Sequence, residues 1–189
     1  MKQEPSKVSN VTASEILKFW FEEIDQSQWW VKDLSFDQEI IKRFSSVHHQ
    51  AISCELFEWR NTAEGRLAEI IVLDQFSRNM FRGSGKSFQY DSLALALAQQ
   101  AIIDGDDVKL PQVQRSFMYL PFMHSESEKI HRQAMALYEK NGIQSNLDFE
   151  IKHKNIIDRF GRYPHRNKLL GRSSTAEEIQ FLSEPGSSF

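Results

Sequence analysis

Between Phe36 and Trp59 the large apolar residues recur at intervals of three and four: Phe36, Ile40, Ile41, Phe44, Val47, Ala51, Ile52, Leu56 and Trp59. That spacing gathers them on one stripe of an α-helix and does not fit the two-residue alternation of a half-buried strand. A stripe this wide must be covered by other elements. Ser35 with Gln38 has the spacing of a capping box and predicts where this helix starts. Thr12 with Glu15 repeats the pattern ahead of Ile16, Leu17, Phe19, Trp20 and Phe21, a short helix expected to be central to packing. Trp29 and Trp30 fall in the connector between the two, as hydrophobic cover over the core or as a stacking platform for a ligand.

The segment from Ala63 to Phe81 is apolar nearly all round and is therefore expected to be buried. It also carries a polar stripe, Asp74, Gln75, Arg78 and Arg82, with Asp74 and Arg78 one helical turn apart. A buried carboxylate and guanidinium must pair or line a wet cavity, so a structural ion pair and a pocket wall are both open readings. Further on, Leu93 to Ala98 alternates leucine with alanine, which permits close helix approach, and Asp104-Gly105 stops that helix. Pro111 opens the next helix, and Phe117 to Met123 forms a bulky apolar elbow. Ser125 with Glu128 predicts a cap for a helix over Ile130 to Lys140, which ends at Asn141-Gly142. Asn146 is the expected cap of the last long helix, Leu147 to Phe160. Thr175 with Glu178, or Ser174 with Glu177, caps a short final one that Pro185-Gly186 ends. Residues 1–11 read as a flexible lead-in, 12–183 as one helical domain and 184–189 as a flexible tail.

Charge is unevenly spread. The 189-residue chain has a net charge of −3, yet residues 152–172 hold seven Lys or Arg against one Asp, a local +6 that leaves −9 on the remainder. That distribution fits one electropositive patch on an acidic body rather than a nucleic-acid coat. In the patch, Gly161 and Pro164 interrupt the preceding helix and pin Arg162, His165, Arg166, Asn167 and Arg172 on a bent loop. Several guanidinium groups on a fixed loop read as an anion site; the alternative is a solvated basic loop capping a helix C-terminus.

Cys54 is the only cysteine, which excludes an intramolecular disulfide and any cysteine-based zinc site. No apolar run approaches the length of a membrane span, and the polar start Met1-Lys2-Gln3-Glu4-Pro5 leads into no secretory core, so the chain reads as soluble, untargeted and cytoplasmic. Arg82-Gly83-Ser84-Gly85-Lys86-Ser87 lacks the earlier glycine and the preceding strand of a nucleotide loop. No motif indicates a cofactor. No metal is assigned, because His48 and His49 point about 100° apart on a helix. His124, Glu126 and His131 match no standard helical ligand spacing either.

Three blocks stand apart: Asp74-Gln75-Phe76-Ser77-Arg78-Asn79-Met80-Phe81-Arg82-Gly83; Tyr119-Leu120-Pro121-Phe122-Met123-His124-Ser125-Glu126; and Phe160-Gly161-Arg162-Tyr163-Pro164-His165-Arg166-Asn167 with Leu170-Gly171-Arg172-Ser173-Ser174-Thr175. Together, and in this order, they resemble the domain of unknown function 924 family over Ile16 to Leu182. The resemblance implies an all-α, tetratricopeptide-like bundle of antiparallel helices, about seven to nine of them, in a family without an established activity.

The blocks are rich in Asp, Gln, Arg, Asn, His and Glu where a packing motif would be apolar, which favours a small polar site. The first expectation is a pocket for a small phosphate- or carboxylate-bearing anion. Arg78, Arg82, Arg162, Arg166 and Arg172 would contact it, with Asp74, Gln75, Asn79 and Asn167 completing the ligand-binding set. Asp74 and Glu126 would orient the arginines. His124, His153 or His165 could move a proton, which with Glu126 makes these the catalytic candidates for acid/base or hydrolytic chemistry. His153 lies in the apolar stripe Phe149, His153, Ile156, Ile157, Phe160, so a core histidine is the competing reading. Two further functions compete with the pocket. One is a non-enzymatic helical adaptor that holds an acidic peptide or protein partner, and the other is a polar core that is purely structural. The oligomeric state is not legible in the sequence.

Overall fold

The computed structural model describes residues 11–187; the first ten residues and the last two, which hold most of the expected lead-in and the end of the expected tail, lie outside it. The described residues are all α, with no strand among them. Helix α1 (Ala13–Lys18) opens on the Thr12/Glu15 capping box, in which Thr12 N donates to Glu15 Oε2 at 2.8 Å and Glu15 N to Thr12 Oγ1 at 3.3 Å. It widens into a π-helical turn over Phe19–Glu23. Helix α2 (Leu34–Ile52) is capped by Asp33 and not by Ser35: Asp33 Oδ1 accepts from Ser35 N at 2.8 Å and Phe36 N at 3.3 Å. The Ser35 hydroxyl is itself spent on Asp33. A carboxylate two residues upstream outcompetes a hydroxyl for the positive end of the helix. The apolar stripe from Phe36 continues only to Ile52. Cys54 then takes a left-handed φ of 57°, and Leu56 and Trp59 belong to the following turns, so the helix is shorter than the periodicity predicts.

Helix α3 (Ala63–Ile71), a π turn over Val72–Phe76 and helix α4 (Ser77–Met80) form one rod, buried at every position from Leu67 to Ser77. This matches the all-round apolar pattern of the sequence. Helix α5 (Asp91–Ile103) lays Ala94, Ala98 and Ala101, all fully buried, against α3 and α6 and stops at Gly105. In helix α6 (Gln112–Met123) Pro111 is the residue before the first turn, with ψ of 151°, rather than its first helical residue. The helix continues through Pro121 instead of breaking into an elbow. Helix α7 (Glu128–Asn141) starts after Ser127, and the Ser125/Glu128 box does not form: Ser125 Oγ accepts from Ser127 N at 3.2 Å. Helix α8 (Gln144–Phe160) begins ahead of Asn146, after Ile143. Helix α9 (Ala176–Leu182) opens on the Thr175/Glu178 capping box.

Helices α6, α7 and α8 pack as successive neighbours, with α7 turning back into α8 at Gly142, while α3 touches α1, α5 and α6 and so occupies the centre. Phe19, Trp20, Phe36, Phe44 and Phe76 pack ring to ring in the core. Trp29 and Trp30 lie over Phe117, with centroids at 4.8 and 5.8 Å, and Trp29 Nε1 donates to Trp20 O. No helix of the described residues is long and apolar enough to cross a membrane.

Candidate functional site

The π turn is the first step in building the site. One extra residue in the turn shifts the phase of the rod, and it is this turn that carries Asp74 and Gln75. Asp74, 1% exposed, accepts from Gln75 Nε2 at 2.6 Å and faces Arg78 Nη1 at 3.0 Å. His124, the residue that closes α6, meets Asp74 Oδ1 through Nδ1 at 2.8 Å. Burial alone would raise Asp74, but the charge of Arg78 and then His124 hold it well below the usual carboxylate range. An ionised Asp74 can only accept, so Nδ1 of His124 carries the hydrogen and Nε2 is left as an acceptor. Burial, and after it Arg78, push His124 below its ordinary value despite the pull of Asp74.

The second step joins the loop after α8. Gly161, at φ 67°, ends the helix, and Pro164–Arg166 forms a tight turn. Tyr163 N donates to Glu126 Oε1 at 2.8 Å, and Arg172 clamps the same carboxylate from Nη1 at 2.6 Å and Nη2 at 2.9 Å. Burial works against the charged form of Glu126, but the Arg172 and Tyr163 bonds prevail and lower it. Asp91 at the start of α5 is the third link: it takes a two-pronged bond from Arg78, 3.0 Å on each side, and a longer 3.3 Å contact from Arg166 Nη1. All three sequence blocks therefore meet at one place, bridged by a residue outside them.

Arg166 lacks the two-pronged carboxylate pairing that Arg78 and Arg172 have. It is 6% exposed, its guanidinium lies 4.5 Å from the ring centroids of both Phe88 and Tyr163, and its Nε has no hydrogen-bond partner among the described residues. Burial and the neighbouring Arg78 lower its pKa. It lines a cleft of about 250 Å³ together with Asp91, His124, Ser125 and Glu126. A wider open groove of about 640 Å³ between α1 and α3 has no histidine or arginine on its walls.

Other candidates lie elsewhere. Arg82 and Asn79 turn to α2 and share Asp37, with Arg82 Nε at 2.5 Å and Asn79 Nδ2 at 2.8 Å. Arg162 forks onto Glu178, and Asn167 reaches Ser174 and Glu178, so both tie down α9. Burial drives His153 to about 3 and His165 to about 4. Both rings pack on Tyr163, at 5.8 and 5.5 Å, and His153 Nδ1 donates to Phe149 O at 2.8 Å.

Asp91, Phe88 and Tyr163 complete the site, and the sequence gives no role to any of them. Asp91 reads as an ordinary acidic residue in a first helical turn, and only the fold sets it between two arginines. Behind the cleft, fully buried His131 and Glu150 meet at 2.7 Å. His131 Nε2 lies 2.8 Å from Ser125 O, and Tyr163 Oη donates to Met123 O at 2.5 Å. These bonds brace the segment that presents His124 and Glu126. Among the described residues no group of three His, Cys, Asp or Glu is placed to hold a metal ion.

The family model described as a bacterial protein of unknown function, DUF924, matches residues 16–186. No curated protein matches. Among solved structures, a protein of unknown function from Agrobacterium tumefaciens is similar, at 39% identity and a TM-score of 0.86, covering 90% of this chain and 96% of that one. The span of the match and the likeness in fold agree with the order of the three blocks, and the chain belongs to the DUF924 family.

Proposed function

We propose that the cleft binds a small phosphate- or carboxylate-bearing anion at Arg166, with the Asp74–His124 pair beside it as an acid/base group. The observation that carries this reading is the unspent capacity of Arg166. A guanidinium has five N–H donors, and among the described residues this buried one makes, beside its two ring contacts, a single long hydrogen bond to an oxygen already held by Arg78. Burying a charge so poorly paired is costly, and an anion in the cleft would offset that cost with two parallel hydrogen bonds. In turnover, His124 Nε2 would accept a proton from the ligand or from water, and ionised Asp74 would hold the tautomer and stabilise the imidazolium. The volume of about 250 Å³ favours a small molecule over an acidic peptide, being below the ~300–1,000 Å³ of drug-sized sites.

A structural role is the better account of Asn79, Arg82, Arg162 and Asn167, each of which is engaged with Asp37 or Glu178. Arg172 is paired with Glu126 through both terminal nitrogens, which leaves only its buried Nε without a partner among the described residues, so it supports the cleft wall.

The test is a thermal-shift screen of wild type, Arg166→Ala and His124→Gln against small phosphates and carboxylates. A ligand at a hundred times its dissociation constant stabilises the folded state by about 2.7 kcal/mol. The expected result is a shift in wild type and His124→Gln that is lost in Arg166→Ala. Equal shifts in all three proteins, or none in wild type, would sink the proposal.

A further inference from the structure

We infer that the cleft takes a small monocarboxylate with a compact apolar body, in preference to a phosphate ester; this deepens the anion-site reading at Arg166 and rests on it. Three observations on the cleft wall carry the choice.

The first is shape. The rings of Phe88 and Tyr163 each lie 4.5 Å from the Arg166 guanidinium carbon, so aromatic surface covers part of the group and recognition is left to the N–H donors that remain. A planar carboxylate matches a guanidinium edge with two parallel bonds. A tetrahedral phosphate has further oxygens that would need donors of their own.

The second is charge. Asp74, Asp91 and Glu126 are set against Arg78, Arg166 and Arg172, all joined by the contacts described above, so the cluster is formally balanced before any ligand enters. Asp91 and Glu126 also line the cleft itself. One negative charge placed on Arg166 meets one incompletely paired cation. A second negative charge would find no further cationic arginine or lysine on the cleft wall and would lie near the carboxylates of Asp91 and Glu126, where low dielectric strengthens the repulsion.

The third is the rest of the wall. Phe88, Leu95, Pro121 and Leu170 supply apolar surface to the same cleft. The cleft has a volume of about 250 Å³ and is partly open to solvent. The space suits a short branched or aromatic body, with Ser92, Ser125 and His124 Nε2 as the polar groups that could read a substituent on it.

The experiment is calorimetric titration of the full chain at pH 8 with two pairs of probes matched in body: benzoate and phenyl phosphate, then isovalerate and isobutyl phosphate. A phosphate monoester is a dianion at that pH, its second ionisation lying near 6. Wild type is compared with Arg166→Lys, which keeps the charge and loses the fork. It is also compared with Ser92→Asp, which adds a carboxylate at an exposed position on the rim. Aspartate is favourable in the first turn of α5, so this variant keeps the fold even if the Arg166 variant does not.

The expected result is binding of a carboxylate at least about tenfold tighter than of its matched phosphate, weakened about tenfold or more by either variant. Phosphate esters that bind as tightly, with the same dependence on Arg166, would overturn the monocarboxylate and leave the anion site standing. Carboxylate binding that neither variant alters would overturn the location. No binding of either class at millimolar concentration would overturn both readings.

Discussion

At the scale of single residues, pairing decides which charged groups the fold depends on. Asp74 is buried between Arg78 and His124, so removing its carboxylate strands a guanidinium inside the protein. Asp74→Ala is expected to cost about 3–5 kcal/mol in urea-induced unfolding, whereas Glu128→Ala, which loses only an exposed pair with Arg132, stays within about 0.5 kcal/mol. The histidines set the response to acid. Burial lowers His48 and His165 to about 4 and His153 to about 3, against an unfolded value of 6.5. The unfolded chain therefore takes up protons first as pH falls. Their contribution is fully present above about pH 6.5 and is lost progressively between there and pH 4, by roughly 1.4 kcal/mol per group for each pH unit. Below that range the depressed carboxylates of Asp74, Glu126 and Glu178 extend the loss, while Glu150, raised by burial, opposes the histidines within it, as pH falls from its raised folded value towards the unfolded 4.5. Denaturation midpoints at pH 7.5, 5.5 and 4.5 check this, and a midpoint that is flat or rises toward pH 4.5 would contradict it. The polar stripe on the Ala63–Phe81 segment was readable in the sequence because a carboxylate and a guanidinium one turn apart on an apolar helix need an explanation. The outward partners were not readable: Arg82 meets Asp37 across 45 positions and Arg166 meets Asp91 across 75.

At the scale of elements, local signals performed well where the chemistry is strictly local. The Thr12/Glu15 and Thr175/Glu178 boxes form as their spacing requires, and Gly105, Gly142 and Gly161 end their helices with positive φ. The signals failed where a stronger competitor sat nearby. Asp33 displaced Ser35 as a cap, and the Ser125/Glu128 box gave way to a bond from Ser127 N to Ser125 Oγ and a pair of Glu128 with Arg132. Two glycines separate strain from space. A Cβ on Gly161 would meet nothing within 4 Å, so Gly161→Ala isolates the cost of a left-handed φ, expected to be about 1 kcal/mol with the site otherwise intact. On Gly65 a Cβ would lie 2.0 Å from the carbonyl oxygen of Trp59, backbone that cannot rotate aside. Gly65→Ala is therefore expected to destabilise more than Gly161→Ala and to shift the turn before α3. Thermal unfolding of the two variants in one buffer decides the order.

At the scale of the whole molecule, stability is expected to be uneven. The rod from Leu67 to Ser77 is buried throughout, whereas α9 is held mainly by Arg162, Asn167 and a small cluster around Phe160 and Phe181. Native-state hydrogen exchange should show the amides of 67–77 exchanging only through global unfolding and those of 176–182 through an opening of lower free energy. Equal protection in both would mean that α9 is part of the same cooperative unit. By itself the sequence determined the all-helical class, the buried central rod, several caps and stops, and the three polar blocks. The rod, the caps and the stops rest on periodicity or on contacts within a few residues, which spacing alone can express, while the all-helical class came with the family resemblance that the three blocks carry. Only the tertiary structure decided that the blocks meet, that Asp91 joins them, and that Arg166 lies against two aromatic rings on a cleft wall while Arg82 and Arg162 anchor other elements. Those outcomes depend on how α3, α5, α6 and the loop after α8 pack. Packing pairs charges over tens of positions, and no local pattern records the distance across which a buried charge will find its partner.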